Sequence, residues 1–280
     1  MLPPRLPASI EIPPFRVLTL PDLPALLPPG TRVYLPDLGG ADDAQLVAAA
    51  AAIRAAGADP VPHLAARRIA SAQALDQRLA RLVAEAGVRD VLVIAGEQDP
   101  PAGPFASSLH LLDTGLLDRH GITRIGIAGH PEGSPVFADD IALKALRLKQ
   151  AFAARTGAEM RIVTQFGFDM PGFCAWAEAL AAPGIALPVH LGLAGPTKLR
   201  ALLGYARACG VGPSLQVLSR RGGALLSLLR GYRPEDLARA AEIHVAAHPA
   251  TAIAGLHVFP FGGAQPSADW LRRRGSWPTA

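Results

Sequence analysis

A (β/α)8 barrel formed as one domain over residues 1–280 is the fold the sequence predicts, and three observations predict it. Short β-branched runs alternate with longer runs rich in alanine and leucine, the pattern of a parallel sheet covered by helices. The strand-like runs number eight. The chain is 280 residues long, close to the ~250 typical of such a barrel. A doubly wound open sheet shares the alternation, and the count of eight decides for closure.

The strand-like runs are Ser9–Ile12, Arg32–Leu35, Pro60–Leu64, Asp90–Ala95, Thr123–Ala128, Arg161–Phe166, Leu187–Leu191 and Ile253–Phe259. Each is short, apolar and bounded by Gly, Pro or a polar residue, as strands buried on both faces require. Between them, Asp42–Ala56, Ser71–Ala86, Asp139–Arg155, Gly172–Ala182 and Thr197–Ala208 carry helical periodicity. Asp42, Ser71 and Thr197 stand as N-caps, and Gly57, Gly87, Gly157 and Gly210 as stops. Val211–His248 should hold two helices divided near Gly231-Tyr232-Arg233-Pro234. No linker, low-complexity tract or internal repeat interrupts the chain.

Composition excludes several classes. The net charge of +4 is spread along the chain and gives no electrostatic footprint for nucleic acid. No stretch approaches the roughly 20 uninterrupted apolar residues of a membrane span. The proline-broken start MLPPRLPASIEIPPF lacks the apolar region of a secretory signal. Cys174 and Cys209 are the only cysteines, too few for a disulfide framework, so a reducing cytoplasm is expected. GxGxxG, P-loop, HExxH and G-x-S-x-G patterns are all missing, which disfavours Rossmann, nucleotide-hydrolysing, zinc-protease and serine-hydrolase readings; no metal is expected.

A parallel barrel builds its site at the C-terminal ends of its strands. Those ends read Glu11, Pro36-Asp37, His63, Gly96-Glu97-Gln98-Asp99, His130-Pro131-Glu132, Thr164-Gln165, His190-Leu191-Gly192 and Phe259-Pro260-Phe261-Gly262-Gly263. Nearly all carry an ionisable or hydrogen-bonding group directly after an apolar run, where partial burial shifts acidities. Singly, each has a plainer reading: Glu11 as an outward strand residue, His63 or His190 as a structural histidine, Gln165 as a loop tie, Asp169 as a helix cap. The run Trp270-Leu271-Arg272-Arg273-Arg274 reads as a solvated helix face or frayed tail. So many polar strand ends together point to a site.

Two of these ends are specific. Gly126-Ile127-Ala128-Gly129-His130-Pro131-Glu132-Gly133-Ser134-Pro135 and Val163-Thr164-Gln165-Phe166-Gly167-Phe168-Asp169 resemble the strand-five and strand-six motifs of the methylenetetrahydrofolate reductase family. Pro62-His63-Leu64, Ala95-Gly96-Glu97, Leu256-His257-Val258-Phe259 and Ser9-Ile10-Glu11-Ile12-Pro13-Pro14 look like its remaining strand-end elements, in order from Glu11 to Phe261. The resemblance implies a flavin-containing barrel that interconverts 5,10-methylene- and 5-methyltetrahydrofolate, with FAD as cofactor and NADH or NADPH as hydride donor, in one-carbon metabolism and methionine biosynthesis. It implies Glu11 as the general acid, with Glu97 setting the electrostatics of the reaction. Cofactor contacts are implied at Asp37, His63, Gly96, Glu97, Asp99, His130, Glu132, Ser134 and Lys149, and substrate contacts at Glu11, Gln165, Gln216 and Phe259. Glu11, Glu97 and Gln165 are expected around one site. The partner is a reduced folate rather than nucleic acid or membrane, with self-association left open.

Departures cluster on the flavin and folate-tail contacts. Ala95-Gly96-Glu97 replaces the family's Arg-Gly-Asp, His130 stands for a tyrosine, Ser134 for a histidine, and Gly262-Gly263 for an asparagine-arginine pair. They support an alternative: a folate-binding protein without flavin, either transferring hydride directly from NAD(P)H or without redox activity. A Schiff-base aldolase is disfavoured, because Lys144, Lys149 and Lys198 all fall in predicted helices or their starts.

Overall fold

In the computed structural model eight parallel strands close into a barrel in chain order. Residues 3–39, 42–134, 136–198, 201–202, 204–205, 232 and 234–278 are described. The strands are β1 (Ala8–Glu11), β2 (Arg32–Leu35), β3 (Asp59–Ala65), β4 (Asp90–Ile94), β5 (Arg124–Gly129), β6 (Glu159–Phe166), β7 (Val189–Ala194) and β8 (Ile253–Phe259). All eight expected strands are present. Among the described residues the helices are α1 (Pro14–Val17), α2 (Leu23–Leu26), α3 (Asp43–Ala55), α4 (Ala72–Ala86), α5 (Ser108–Leu112), α6 (Leu116–Arg119), α7 (Asp139–Thr156), α8 (Met170–Ala179), α9 (Pro234–Ala247) and α10 (Ala264–Arg273). Packing divides the chain into two compact units, each described by itself.

The first unit comprises Glu11–Ala128 and Leu148–Arg161. In it β2, β3 and β4 pair in parallel, with Tyr34 opposite Val61 and His63 opposite Leu92, and β4 pairs with β5. Every residue of β3 after Asp59 is buried, which explains a run that is apolar but for His63. Helix α4 forms because Ser71 accepts the Ala74 N–H at 3.1 Å and Leu75, Leu79, Leu82 and Ala86 repeat on one buried stripe. It ends at Gly87, whose φ of 58° suits a left-handed C-cap. Asp42 caps α3 in the same way, accepting from Gln45 N at 2.7 Å. The short helices α1, α2, α5 and α6 lie beyond what the sequence pattern predicts. Each is about one turn long, too short to show a period, and α1 and α2 carry proline in the first turn.

The second unit comprises Met1–Ile10, Gly129–Arg147 and Ile162–Ala280. Strand β7 lies between β6 and β8, and β8 also pairs with β1, Ser9 opposite His257. Gly192 is required where β7 meets β6, because a Cβ would run into the carbonyl oxygens of Thr164 and Gln165. Its N–H donates to Thr164 Oγ1 at 2.8 Å. Three expectations are corrected. Strand β7 runs on to Ala194, so His190 sits inside the strand, nearly buried, rather than at its end. Helix α8 starts before Gly172, with Asp169 as its cap accepting from Gly172 N at 3.3 Å. The basic C-terminal run is neither frayed nor wholly solvated: Arg274 is buried 2.9 Å from both Glu235 and the fully buried Glu242, and Trp270 Nε1 donates to Glu235. Half of Thr197–Ala208 and the first helix expected in Val211–His248 lie outside the described residues; α9 is the second. Among the described residues no helix is long and apolar enough to cross a membrane.

Candidate active site

Glu11 is the last residue of β1, and its carboxylate Oε2 stands 3.5 Å from Nε2 of His63 on β3. Both side chains are largely enclosed, 17% and 8% exposed. Burial pushes the Glu11 carboxyl above the usual carboxylate range, and the neighbouring His63 opposes this only in part. The outward-facing reading of Glu11 is therefore not what the fold produces.

Below this pair lies a buried polar column that the sequence pattern does not reveal. The His63 ring sits edge-on to Tyr34, with centroids 6.1 Å apart. Tyr34 Oη accepts from Arg161 Nε at 2.8 Å, and Arg161 Nη1 lies 2.9 Å from Asp90 Oδ1. Arg32 and Arg124 approach the other Asp90 oxygen at 3.3 and 3.8 Å. Gly126 packs against this column: a Cβ there would stand 2.8 Å from Leu92 Cδ1 and 3.4 Å from Arg161 Nη2. Burial pushes the Tyr34 hydroxyl up, so it stays neutral and serves as an acceptor.

The loops after β2 and β4 carry the other candidates of this unit. Asp37 Oδ1 accepts from Gly39 N at 3.3 Å and lies 3.8 Å from Arg68 Nε. Gly96 has a φ of 83°, and a Cβ on it would come within 3.1 Å of Ala65 Cβ; both facts favour glycine. Glu97 is exposed, and Asp99, whose side chain is 81% exposed, stands 3.6 Å from Arg67 Nη1. Lys149 on α7 is 6% exposed, and burial lowers its ammonium to about 8.

In the second unit, His130 directly follows β5 and meets Phe137 edge-on at 5.0 Å. Glu132 approaches Gly167: its Oε1 would be 2.8 Å from a Cβ there. Ser134 Oγ accepts from Val136 N at 3.1 Å, a turn contact. Gln165 is the penultimate residue of β6, half-buried, with its carbonyl accepting from Thr164 Oγ1 at 2.9 Å. Phe259 ends β8 within an aromatic cluster, 5.6 Å from Phe166, 5.9 Å from Phe261 and 4.7 Å from His257. Ser9 Oγ lies 2.9 Å from His257 Nδ1, both buried, a second pair the sequence does not announce. Gln216 lies outside the described residues. Among the described residues no group of three or more His, Cys, Asp or Glu could hold a metal.

A signal for the buried column is present in the sequence, but an ambiguous one. Arg161, Asp90 and Arg32 are charges at the starts of apolar runs, where a strand boundary and a buried partner look alike. Arg67 and Arg68 give no pattern signal at all.

Comparison with known proteins supplies the family. Residues 33–214, more than half of the chain, match the family model described as methylenetetrahydrofolate reductase. A stretch of 70 residues is 41% identical to methylenetetrahydrofolate reductase 1 of Schizosaccharomyces pombe (strain 972 / ATCC 24843); it covers 25% of this chain and only 11% of that protein. Among solved structures, the chain is similar to dihydropteroate synthase from Thermus thermophilus (14% identity, 97% and 94% of the two chains, TM-score 0.46). It is similar also to a mandelate racemase/muconate lactonizing enzyme from Bordetella bronchiseptica RB50 (17%, 93% and 54%, 0.43) and to 3-dehydroquinate dehydratase from Geobacillus kaustophilus HTA426 (11%, 68% and 74%, 0.41). The family match alone covers the strand ends from β2 to β7 on which the motifs stand, and by it the chain belongs to the methylenetetrahydrofolate reductase family.

Proposed function

We propose that the protein is an oxidoreductase interconverting 5,10-methylene- and 5-methyltetrahydrofolate, with Glu11 as its general acid. The observation that carries this reading is the enclosed Glu11 carboxyl, held above the usual carboxylate range beside His63 in a member of this family. Opening the methylene bridge requires a proton on the departing ring nitrogen. A carboxylic acid raised by burial holds its proton to higher pH than an exposed one and can release it to a neighbouring base.

A bound flavin would supply the two-electron chemistry, taking hydride from NADH or NADPH and passing it to the one-carbon unit. The residues present fit a phosphate-bearing cofactor at Lys149. Its ammonium is nearly buried and has no ion pair among the described residues, so an anionic group there would relieve the cost of its burial. Gly96, where a side chain would crowd Ala65, suits close approach of a ligand to backbone. We assign Asp37, His63, Glu97, Asp99, His130, Glu132 and Ser134 to the cofactor as well, Ser134 through its turn. Gln165 carries donor and acceptor suited to a pterin edge, and Phe259 offers a ring face; with Gln216 they complete the assigned substrate contacts. On this reading the activity belongs to the cytoplasm.

A second reading, folate binding without flavin, is favoured by one observation: Ala95 offers no side-chain donor, and Glu97 beside it is exposed. A visible spectrum of the purified protein separates the two. Flavin absorbance that bleaches with NADH or NADPH and returns with methylenetetrahydrofolate supports the first. A colourless protein that binds reduced folate supports the second, and binding of neither flavin nor folate would overturn both.

A further inference from the structure

We propose that Arg67 is a positioning residue that fixes the loop of residues 95–106, and with it Glu97 and Asp99, before any ligand arrives. This rests on the reading that Glu97 and Asp99 face the ligand. The loop joins β4 to α5 without helix or strand of its own and contains Pro100, Pro101 and Pro104; long connections of this kind are usually functional or mobile. Here one residue holds it at its start, middle and end.

The Arg67 backbone N–H donates to Ala95 O at 2.9 Å, and its carbonyl accepts from Ala102 N at 2.8 Å. Its guanidinium Nε donates to Ala106 O at 3.1 Å and Nη1 to Gln98 O at 3.4 Å, with Asp99 Oδ1 3.6 Å away. Gly103 packs the far side of the loop onto the chain beside Arg67, where a Cβ would stand 2.6 Å from Ile69 O. The planar fork of arginine reaches two separate carbonyls from two nitrogens with a carboxylate close by, whereas the donors of a lysine ammonium all sit on one nitrogen. The side chain is 25% exposed, so these bonds are partly sheltered from competing water. The carboxylates of Glu97 and Asp99 project from a backbone whose position Arg67 determines, which spares a ligand the cost of ordering the loop.

The whole chain carrying Arg67→Lys or Arg67→Ala tests this. Hydrogen exchange of amides 96–106 should quicken at least tenfold in Arg67→Lys while the thermal midpoint stays near that of wild type. Binding of methylenetetrahydrofolate should weaken at least tenfold. Joining Arg67→Lys to Glu97→Gln and Asp99→Asn should weaken binding by less than the product of the separate effects. Wild-type exchange rates in Arg67→Lys would overturn the proposal, and so would effects that simply multiply. Should the wild type bind no folate, the proposed function fails, and the exchange rates alone then decide whether Arg67 fixes the loop. If Arg67→Ala does not fold, the lysine variant carries the test.

Discussion

Glu11 is the residue whose environment matters most. Burial raises its carboxyl above the ordinary value of 4.5, and His63, 3.5 Å away, offsets this only in part. In the window above the ordinary value the folded chain still holds a proton that the unfolded chain has released, so stability falls as pH rises through the folded value. Glu11→Gln, which cannot ionise, should remove that decline. Thermal melts from about pH 4 to about pH 8 should show the variant gaining on wild type as pH rises, with parallel curves counting against burial as the cause. Lys149 shows the mirror case. Its ammonium is lowered from 10.5 to about 8, so the folded chain has lost a proton that the unfolded chain keeps, and stability rises with pH through that window. Lys149→Met should raise the midpoint of the ligand-free protein near neutral pH, yet weaken FAD binding at least tenfold by titration calorimetry. A purely structural lysine would not give those opposite signs.

At the scale of elements, β6 and β7 show how closely backbone approach is specified. Gly192 admits the Thr164 and Gln165 carbonyls where any side chain would collide. Gly192→Ala must therefore push the two strands apart or shift their register, at about 1–3 kcal/mol, the usual cost of overpacking; urea denaturation measures it. The same glycine explains why the sequence pattern ends β7 too early: it interrupts the apolar run before Leu193 and Ala194, and a glycine inside a strand resembles a boundary. Helices α3 and α4 are legible because cap and buried stripe agree, with Asp42 and Ser71 placed at their starts. The one-turn helices α1 and α2 are not, since four residues cannot display a period of about 3.6.

For the whole molecule, the closed barrel is legible because each strand is an apolar run set between helices, and eight of them suffice to close. The strand-end residues follow from the fold. Their partners do not: Arg161 and Tyr34 are 127 residues apart in sequence, and only the barrel interior brings them together. Glu11 itself is legible as a polar residue inside an apolar run, but its pairing with His63 depends on β1 and β3, which no local pattern connects. The proton role proposed for Glu11 is tested most directly by following the two halves of the reaction separately in Glu11→Gln. Oxidation of NADH or NADPH by the bound flavin needs no proton on a folate nitrogen and should proceed within a fewfold of wild type. Transfer to methylenetetrahydrofolate should slow by about 10²–10⁴, the range of a lost general acid. Equal slowing of both halves, or full speed in the second, would contradict the account.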